Sequence, residues 1–342
     1  MIHSNSEGDI YIEEMPLLLV HLREEEKGAD ARLSEVLSYA LDGYAYETAT
    51  EISAFEDYVN RWRRLEKTQN RKNPVQGRIL FAVPLGTSGI NLELYRLIRF
   101  LREHPDFLNG FVGGLLVDSE NDLYSKSAAK DLVFAANCAG CAFVGRPLVE
   151  GTRTLSNYTI VSNNLGTDLM GAYRESAAGL VKEVLGTDCV RKKCPKVLVL
   201  HASSHKTSNT YAIWNRVKEQ LPEMEIREIG LRNGTLSDCA GCPYKMCLHF
   251  GEQGSCFYGG VMVEDVYPAV READAIVMLC PNYNDALSAN LTAFINRLTS
   301  LFRTTRFYDK ALFAVVVSGY SGSDIVAEQL IAALNMNKTF YL

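Results

Sequence analysis

The stretch Lys196-Val-Leu-Val-Leu-His-Ala-Ser-Ser-His-Lys-Thr-Ser-Asn-Thr210 joins a buried-strand pattern, Val197–Leu200, to a helical pattern, Tyr211–Leu221. The connection is a short loop of hydroxyl and amide side chains. Backbone N–H groups without partners collect at a helix start, and hydroxyls add further donors, so the stretch is suited to hold an anion. It matches neither Gly-x-x-x-x-Gly-Lys-Ser/Thr nor Gly-x-Gly-x-x-Gly. A loop rich in hydroxyls and poor in glycine suits a terminal phosphate monoester better than a pyrophosphate. The plainer alternative is a helix cap, because Ser and Asn cap helices with or without a ligand.

A second group is Asp238-Cys-Ala-Gly-Cys-Pro-Tyr-Lys-Met-Cys-Leu-His-Phe-Gly-Glu-Gln-Gly-Ser-Cys256, spaced Cys-x2-Cys-x4-Cys-x8-Cys. Cys239, Cys242, Cys247 and Cys256 are candidate ligands for a [4Fe–4S] cluster or a structural zinc. The alternative is four thiols in a loop that covers a substrate. His249 reads as a surface residue. Cys138-Ala-Gly-Cys141 ends an apolar helix pattern and reads as a pair of buried small residues, while Cys189 and Cys194 flank a basic linker. Gly319-Tyr-Ser-Gly-Ser323 lacks the Gly-x-Ser-x-Gly arrangement of a nucleophile elbow. Asp118-Ser-Glu-Asn-Asp122 is followed by Leu123 where a calcium loop needs Gly.

The elements that must position these groups alternate. Residues 1–75 read as a helical N-terminal segment, and 69–77 as a polar connection. Strand patterns follow at Arg78–Val83, Phe111–Val117 and Ala142–Leu148, with helical patterns at Leu92–Arg102, Ser125–Ala139 and Thr167–Leu185. After a linker at 187–195, strands are expected at Val197–Leu200, Glu225–Ile229, Ala275–Leu279 and Ala311–Val317. Helices are expected at Tyr211–Leu221, Val261–Arg271, Ala289–Phe302 and Asp324–Leu334, and Lys338–Leu342 begins a last strand. Such alternation with short connections predicts α/β architecture with parallel sheets covered on both faces. The domain boundaries are then 1–75, 76–186, the linker, and 196–342. Val83-Pro-Leu-Gly-Thr-Ser-Gly-Ile-Asn91 and Leu200-His-Ala-Ser-Ser-His-Lys-Thr-Ser-Asn209 open alike, which points to a degenerate duplication or to two unrelated α/β domains. A doubly wound sheet needs a helix after its last strand. The sequence stops first, so either it is a fragment or the N-terminal segment packs there.

Residues 196–342 resemble the flavodoxin-like NADPH-dependent FMN reductase family, which includes the iron–sulfur flavoproteins. The family's opening strand–Gly-Ser-Pro-Arg-x-x-x-Asn-Thr–helix is matched at Ser203, Asn209 and Thr210, with Ser204 and His205 replacing Pro and Arg. Its Ser-Pro-x-Tyr…Ser-x-x-Leu-Lys-x-Phe-x-Asp-Arg signature is matched at Pro281, Tyr283, Ser288, Leu291, Phe294 and Arg297. The strand Ala311–Val317 ends in a Gly/Ser loop as the family's does. The resemblance implies a flavodoxin-like, doubly wound parallel sheet in this part of the chain. It implies that Ser203, His205, Lys206, Ser208, Asn209 and Thr210 bind the FMN phosphate. Pro281, Asn282, Tyr283 and Asn284 would contact the flavin ring, and Ser318, Gly319 and Tyr320 would close its other side. It also places a cysteine motif after the second strand, although iron–sulfur flavoproteins have two residues between the second and third cysteines where this chain has four.

Composition sets the outer limits. The chain has 342 residues, 47% hydrophobic and 22% charged, with a formal net charge of −6, the profile of a soluble globular protein of two domains. The longest basic cluster, Arg191-Lys-Lys193, does not make a nucleic-acid surface. No apolar run approaches the ~18–20 residues of a membrane span, no signal peptide is visible, and nine cysteines in such a chain read as thiols or ligands. These features suggest a cytoplasmic protein. With the resemblance, the expectation is a homodimeric oxidoreductase that uses FMN and NAD(P)H to reduce a flavin, quinone, nitro or azo compound, or small metabolite. The alternatives are an iron–sulfur flavoprotein electron carrier, fed by ferredoxin, and a non-catalytic flavodoxin-like binding module.

Overall fold

A computed structural model of the chain describes residues 15–23, 27–68, 76–188, 192–203, 208–221 and 223–342. In chain order the elements are β1 (Leu17–His21), α1 (Lys27–Ala40), β2 (Tyr46–Ala49), α2 (Ile52–Thr68), β3 (Gly77–Leu85), α3 (Leu92–Glu103), β4 (Phe111–Ser119), α4 (Ser125–Cys138), β5 (Ala142–Gly151), α5 (Thr159–Leu165) and α6 (Leu169–Gly186). They continue with β6 (Lys196–His201), α7 (Asn209–Glu219), β7 (Glu225–Gly230), α8 (Tyr244–Glu252), α9 (Tyr267–Glu272), β8 (Ala275–Asn282), α10 (Ala289–Phe302), β9 (Ala311–Ser318) and α11 (Ser323–Leu330). Single π-helical turns, Met262–Val266 and Ile331–Met336, precede α9 and extend α11. None of the described helices is long and apolar enough to cross a membrane.

The strands form two sheets, ordered β2-β1-β3-β4-β5 and β7-β6-β8-β9. Pairing is parallel, with Leu19 opposite Leu80 in the first sheet and Val199 opposite Val277 in the second. The first order is 2-1-3-4-5, the flavodoxin-like arrangement, and the second is its 2-1-3-4 portion. A parallel bridge from Ala311 to Tyr341 lies at the free side of β9, where a fifth strand belongs. Both sheets therefore have the α/β architecture expected from the alternating pattern.

The N-terminal segment departs from the expectation. Residues 1–75 were read as helical, yet β1 and β2 lie within them, and the first sheet opens at Leu17. An apolar run as short as Leu17–Val20 has no period that separates strand from helix. β2 is an edge strand that buries only Ala49. A consequence follows for the loop Pro84–Asn91. It leaves the third strand of its sheet, so its positional counterpart is the loop after β8, not the one after β6. The strand that corresponds to β6 is β1, and both end in a buried histidine, His21 and His201.

The chain divides into two compact units. The first comprises residues to Ser125, Ala139–Cys141 and Val149–Gly186; the second comprises Lys126–Cys138, Ala142–Leu148 and Thr187–Leu342. In the first unit, α2 buries Phe55, Tyr58, Val59 and Trp62 at helical spacing. Gly114 of β4 lets α6 approach closely, since a Cβ there would sit 2.8 Å from Val184 and 2.9 Å from Leu180. In the second unit alternate residues of β6 face opposite sides: Leu198 and Leu200 join the layer of α10, and Val197 and Val199 pack on Trp214 of α7. Leu291, Phe294 and Leu298 of α10 are fully buried, each stabilising the unit by roughly 1.5–3 kcal/mol.

Candidate functional site

Three loops leave the C-terminal ends of β6, β8 and β9, the edge where open parallel α/β sheets place ligands. The first runs from Ser203 to α7. Residues 204–207, and with them the expected phosphate ligands His205 and Lys206, lie outside the described residues. Ser208 is the N-cap of α7, with φ −90° and ψ 112°, and its hydroxyl accepts the Tyr211 N–H at 3.2 Å. Asn209 and Thr210 form the first turn, whose N–H groups have no intrahelical acceptor. Thr210 is buried, so what it presents at the loop is its backbone.

Two features below this loop hold it. His201, the buried last residue of β6, places Nδ1 3.2 Å from the Ser203 carbonyl. A carbonyl only accepts, so this nitrogen carries the proton. Glu228 of β7 accepts from the Tyr211 hydroxyl at 2.5 Å, Lys218 Nζ at 2.6 Å and Trp214 Nε1 at 3.1 Å. Burial opposes ionisation of Glu228, but the hydrogen bonds from Lys218, Tyr211 and Trp214 outweigh it and hold the carboxyl below its ordinary value. Burial, and then the bond to Glu228, push the Tyr211 phenol up to about 12. Three side chains of α7 are thus fastened to one carboxylate, which fixes where the helix begins.

The other two loops are fastened to each other. Asn282 donates its side-chain amide to Ser318 Oγ at 3.1 Å and to Asp285 Oδ1 at 3.0 Å, and accepts the Asp285 N–H at 2.8 Å. Ser318 donates its hydroxyl to the Ser321 carbonyl at 2.9 Å. Gly322 sits at φ +93°, and a Cβ there would lie 1.9 Å from Asp285 Oδ1, so no other residue fits. Gln329 bridges the Asp285 carbonyl and the Leu287 N–H, both at 3.0 Å. On this braced scaffold Tyr283 and Tyr320 stand 70% and 97% exposed. Pro281 is half-buried, and Asn284 and Gly319 are exposed. Cys280 is buried, and burial alone pushes its thiol up to about 12, so it is a packing residue and not a nucleophile.

The donor set fits FMN. Hydroxyls and helix-start amides suit its phosphate, and two exposed aromatic side chains on braced loops suit its ring. The structure brings Ser203, Ser208, Asn209, Thr210, Pro281, Asn282, Tyr283, Asn284, Ser318, Gly319 and Tyr320 to the ends of adjacent strands of one sheet. The side chains of Asn282 and Ser318, however, are spent on each other. His201, Glu228 and Gln329 were missed by sequence reading. Only His201 carried a signal, as a polar residue closing an apolar strand.

The cysteine segment is not one irregular loop, because α8 occupies its middle and carries Cys247 and His249. Cys239, Cys242, Cys247 and Cys256 all line one cavity of ≈ 200 Å³, together with Phe250, Phe257, Arg297 and Arg303. Among the described residues no three Cys, His, Asp or Glu side chains converge as metal ligands, so this arrangement supports neither the expected [4Fe–4S] cluster nor structural zinc. Arg297 is buried and donates to the Gly259 carbonyl at 2.7 Å and the Ser237 carbonyl at 3.5 Å. The Nε atoms of Arg297 and Arg303 are both buried without a hydrogen-bond partner. His249 is exposed, as expected, 3.1 Å from Gln253 Nε2. Of the expected buried pair, Cys141 is buried but Cys138 is exposed, because it ends α4 on the outer side. Cys189 lies outside the described residues.

The second unit is therefore a flavodoxin-like α/β domain. The model of the NADPH-dependent FMN reductase family matches residues 195–342, so this part of the chain is similar to that family. The family's general activity is FMN-dependent oxidation of NADPH. A comparison with curated proteins gave no match. A solved structure described as a unique GCN5-related glucosamine N-acetyltransferase region in a fungal multi-domain GH3 β-N-acetylglucosaminidase is 10% identical, with a TM-score of 0.19. The chain spans 45% of the length of that structure's chain, which in turn covers 95% of this one. A likeness at that level carries no argument.

Proposed function

We propose that the second unit is an FMN-dependent oxidoreductase domain that takes electrons from NADPH or NADH and delivers them to a small acceptor such as a flavin, quinone, nitro or azo compound, or metabolite. The observation that carries this reading is the clamp from Asn282 to Ser318, which braces the loops after β8 and β9 with Tyr283 and Tyr320 exposed, at the same sheet edge as the loop after β6. Bound FMN supplies two-electron redox chemistry at its ring. The protein's part is to hold and orient. Ser203 and Ser208, with the first-turn amides of α7, hold the phosphate. The loops after β8 and β9 border the ring, and the two phenols limit its contact with water. The test is flavin content and turnover: the purified chain should hold one FMN and oxidise NADPH when an acceptor is added. Absence of flavin would sink the reading. Bound flavin without turnover would favour the non-catalytic binding module.

A second reading rests on the four cysteines that line one cavity, although as placed they do not converge as metal ligands. In it the domain is an electron carrier in which Cys239, Cys242, Cys247 and Cys256 hold a [4Fe–4S] cluster, and ferredoxin is the source of electrons. Arg297, buried and bonded to the Gly259 and Ser237 carbonyls but with its Nε unpartnered and no carboxylate beside it among the described residues, supports an anionic occupant. Iron content after anaerobic purification tests it. A homodimer and a cytoplasmic location accompany both readings as proposals.

A further inference from the structure

The first unit has its own C-terminal sheet edge, and it is built differently. Arg32 of α1 grips Asp118, the penultimate residue of β4, through Nε to Oδ2 at 2.9 Å and Nη2 to Oδ1 at 2.7 Å. The same guanidinium donates to the carbonyls of Ser119 at 3.1 Å, Thr152 at 3.0 Å and Arg153 at 3.2 Å. Asp118 is fully buried. The charge of Arg32 is thereby neutralised, and its donors are spent on the chain after β4 and β5. Asn121 adds two ties, donating to the Thr87 carbonyl at 3.1 Å and accepting the Arg153 N–H at 3.3 Å. Three loops become one rim.

The rim borders a cavity of ≈ 430 Å³ lined by Ala29, Arg32, Thr87, Glu120 and Arg153. Among the described residues, no side-chain hydrogen bond or ion pair engages the Glu120 carboxylate or the Arg153 guanidinium. Two charges of opposite sign therefore face one cavity, neither in a close ion pair among the described residues, with Arg32 acting on Glu120 and Asp122 on Arg153 only through longer-range charge interaction. Among the described residues that line it none is aromatic.

We propose that this cavity is a second small-molecule site, which takes a zwitterion of amino-acid size. A simple anion there meets Glu120, and a simple cation meets Arg153. A ligand with both signs satisfies both. Arg153 offers a planar fork suited to a carboxylate, and Glu120 accepts from an ammonium group. The volume left beside Ala29 and Thr87 receives the ligand's side chain. The Arg32–Asp118 pair stays outside the exchange and keeps the rim in place. The site is independent of the cofactor site of the second unit, so either can fail without the other.

The experiment presents the twenty common amino acids singly to the full chain, with acetate and methylammonium as single-charge controls. Binding is read by saturation-transfer NMR and by the shift in unfolding temperature. At least one amino acid should bind where neither control does at the same concentration. Arg153→Gln and Glu120→Gln should each weaken that binding by about tenfold or more, the loss of one charge-assisted contact. Neither side chain hydrogen-bonds within the Arg32 network, and Glu120 acts on Arg32 and Asp118 only through longer-range charge, so the ligand-free variants should unfold within a few degrees of the unsubstituted chain. The proposal is overturned if no amino acid binds, if acetate binds as tightly as the best amino acid, or if both variants bind unchanged.

Discussion

The side-chain amide of Asn282 donates to the hydroxyl of Ser318 across the ends of two neighbouring strands, at 3.1 Å. The residues are register partners in β8 and β9, so this bond closes the sheet at its ligand edge. Asn282→Ala removes that bond and the Asp285 contacts together. The expected loss of stability is about 1–2 kcal/mol, with FMN released faster from the loosened edge. Urea unfolding and stopped-flow flavin release check the two effects. A variant that is less stable yet holds FMN unchanged would show that the clamp serves the fold alone.

Phosphate binding should be separable from the helix cap. Ser208→Ala removes the acceptor for the Tyr211 N–H and should cost about 1 kcal/mol of stability. Ser203→Asp leaves the cap in place and sets a carboxylate where the phosphate is expected. FMN affinity in that variant should fall by at least about tenfold, since charge-assisted contacts are worth about 1.5–3 kcal/mol. Fluorescence titration reads it, and equal affinity in Ser203→Asp would remove the loop from the site.

How much of this was legible beforehand depended on whether the signal was local. Helix α10 was read residue for residue because Leu291, Phe294, Ile295 and Leu298 fall on one face. β6, β8 and β9 are legible as apolar runs between turn residues, and β7 as Glu-Ile-Arg-Glu-Ile, in which Ile is interspersed with charge. β1 and β2 were not, since an apolar run as short as β1 and a half-exposed edge strand carry no period. Helix α8 is short and carries Cys247 within it, so the cysteine spacing reads equally as a ligand loop, and Pro243 at its start is its one local signal. The clamp from Asn282 to Ser318 and the grip of Arg32 on Asp118 join residues far apart in the chain. Nothing in either local sequence announces such a bond.

Acid should loosen α7 before it unfolds the sheet. Glu228 is held below its ordinary value in the folded chain. A depressed carboxyl adds stability above the unfolded-state value, and that stability is lost as pH falls through the folded-state value. The Glu228 contribution is therefore complete at neutral pH and disappears below the ordinary carboxylate range. Glu228→Gln should be less stable by about 1–2 kcal/mol at pH 7. The gap to the unsubstituted chain should close as pH is lowered. A gap that stayed constant with pH would assign the effect to packing instead.

The cysteine cavity separates the two readings of the domain. Arg297 is buried beside four thiols, its Nε has no hydrogen-bond partner, and among the described residues no carboxylate pairs with it. A buried charge of this kind costs several kcal/mol unless something anionic meets it. Four thiolates holding a [4Fe–4S] centre would be such a group. Anaerobically purified chain should then contain about four iron atoms, and Cys247→Ser should lose most of them, because Cys247 is held in place by α8. Arg297→Lys should keep the charge but lose the grip on the Gly259 and Ser237 carbonyls, giving iron that leaves faster on exposure to chelator. If iron is absent after anaerobic purification and after reconstitution with iron and sulfide, the electron-carrier reading falls. The four cysteines would then react with iodoacetamide as ordinary thiols, and the flavin reading would stand on the loops after β6, β8 and β9 alone.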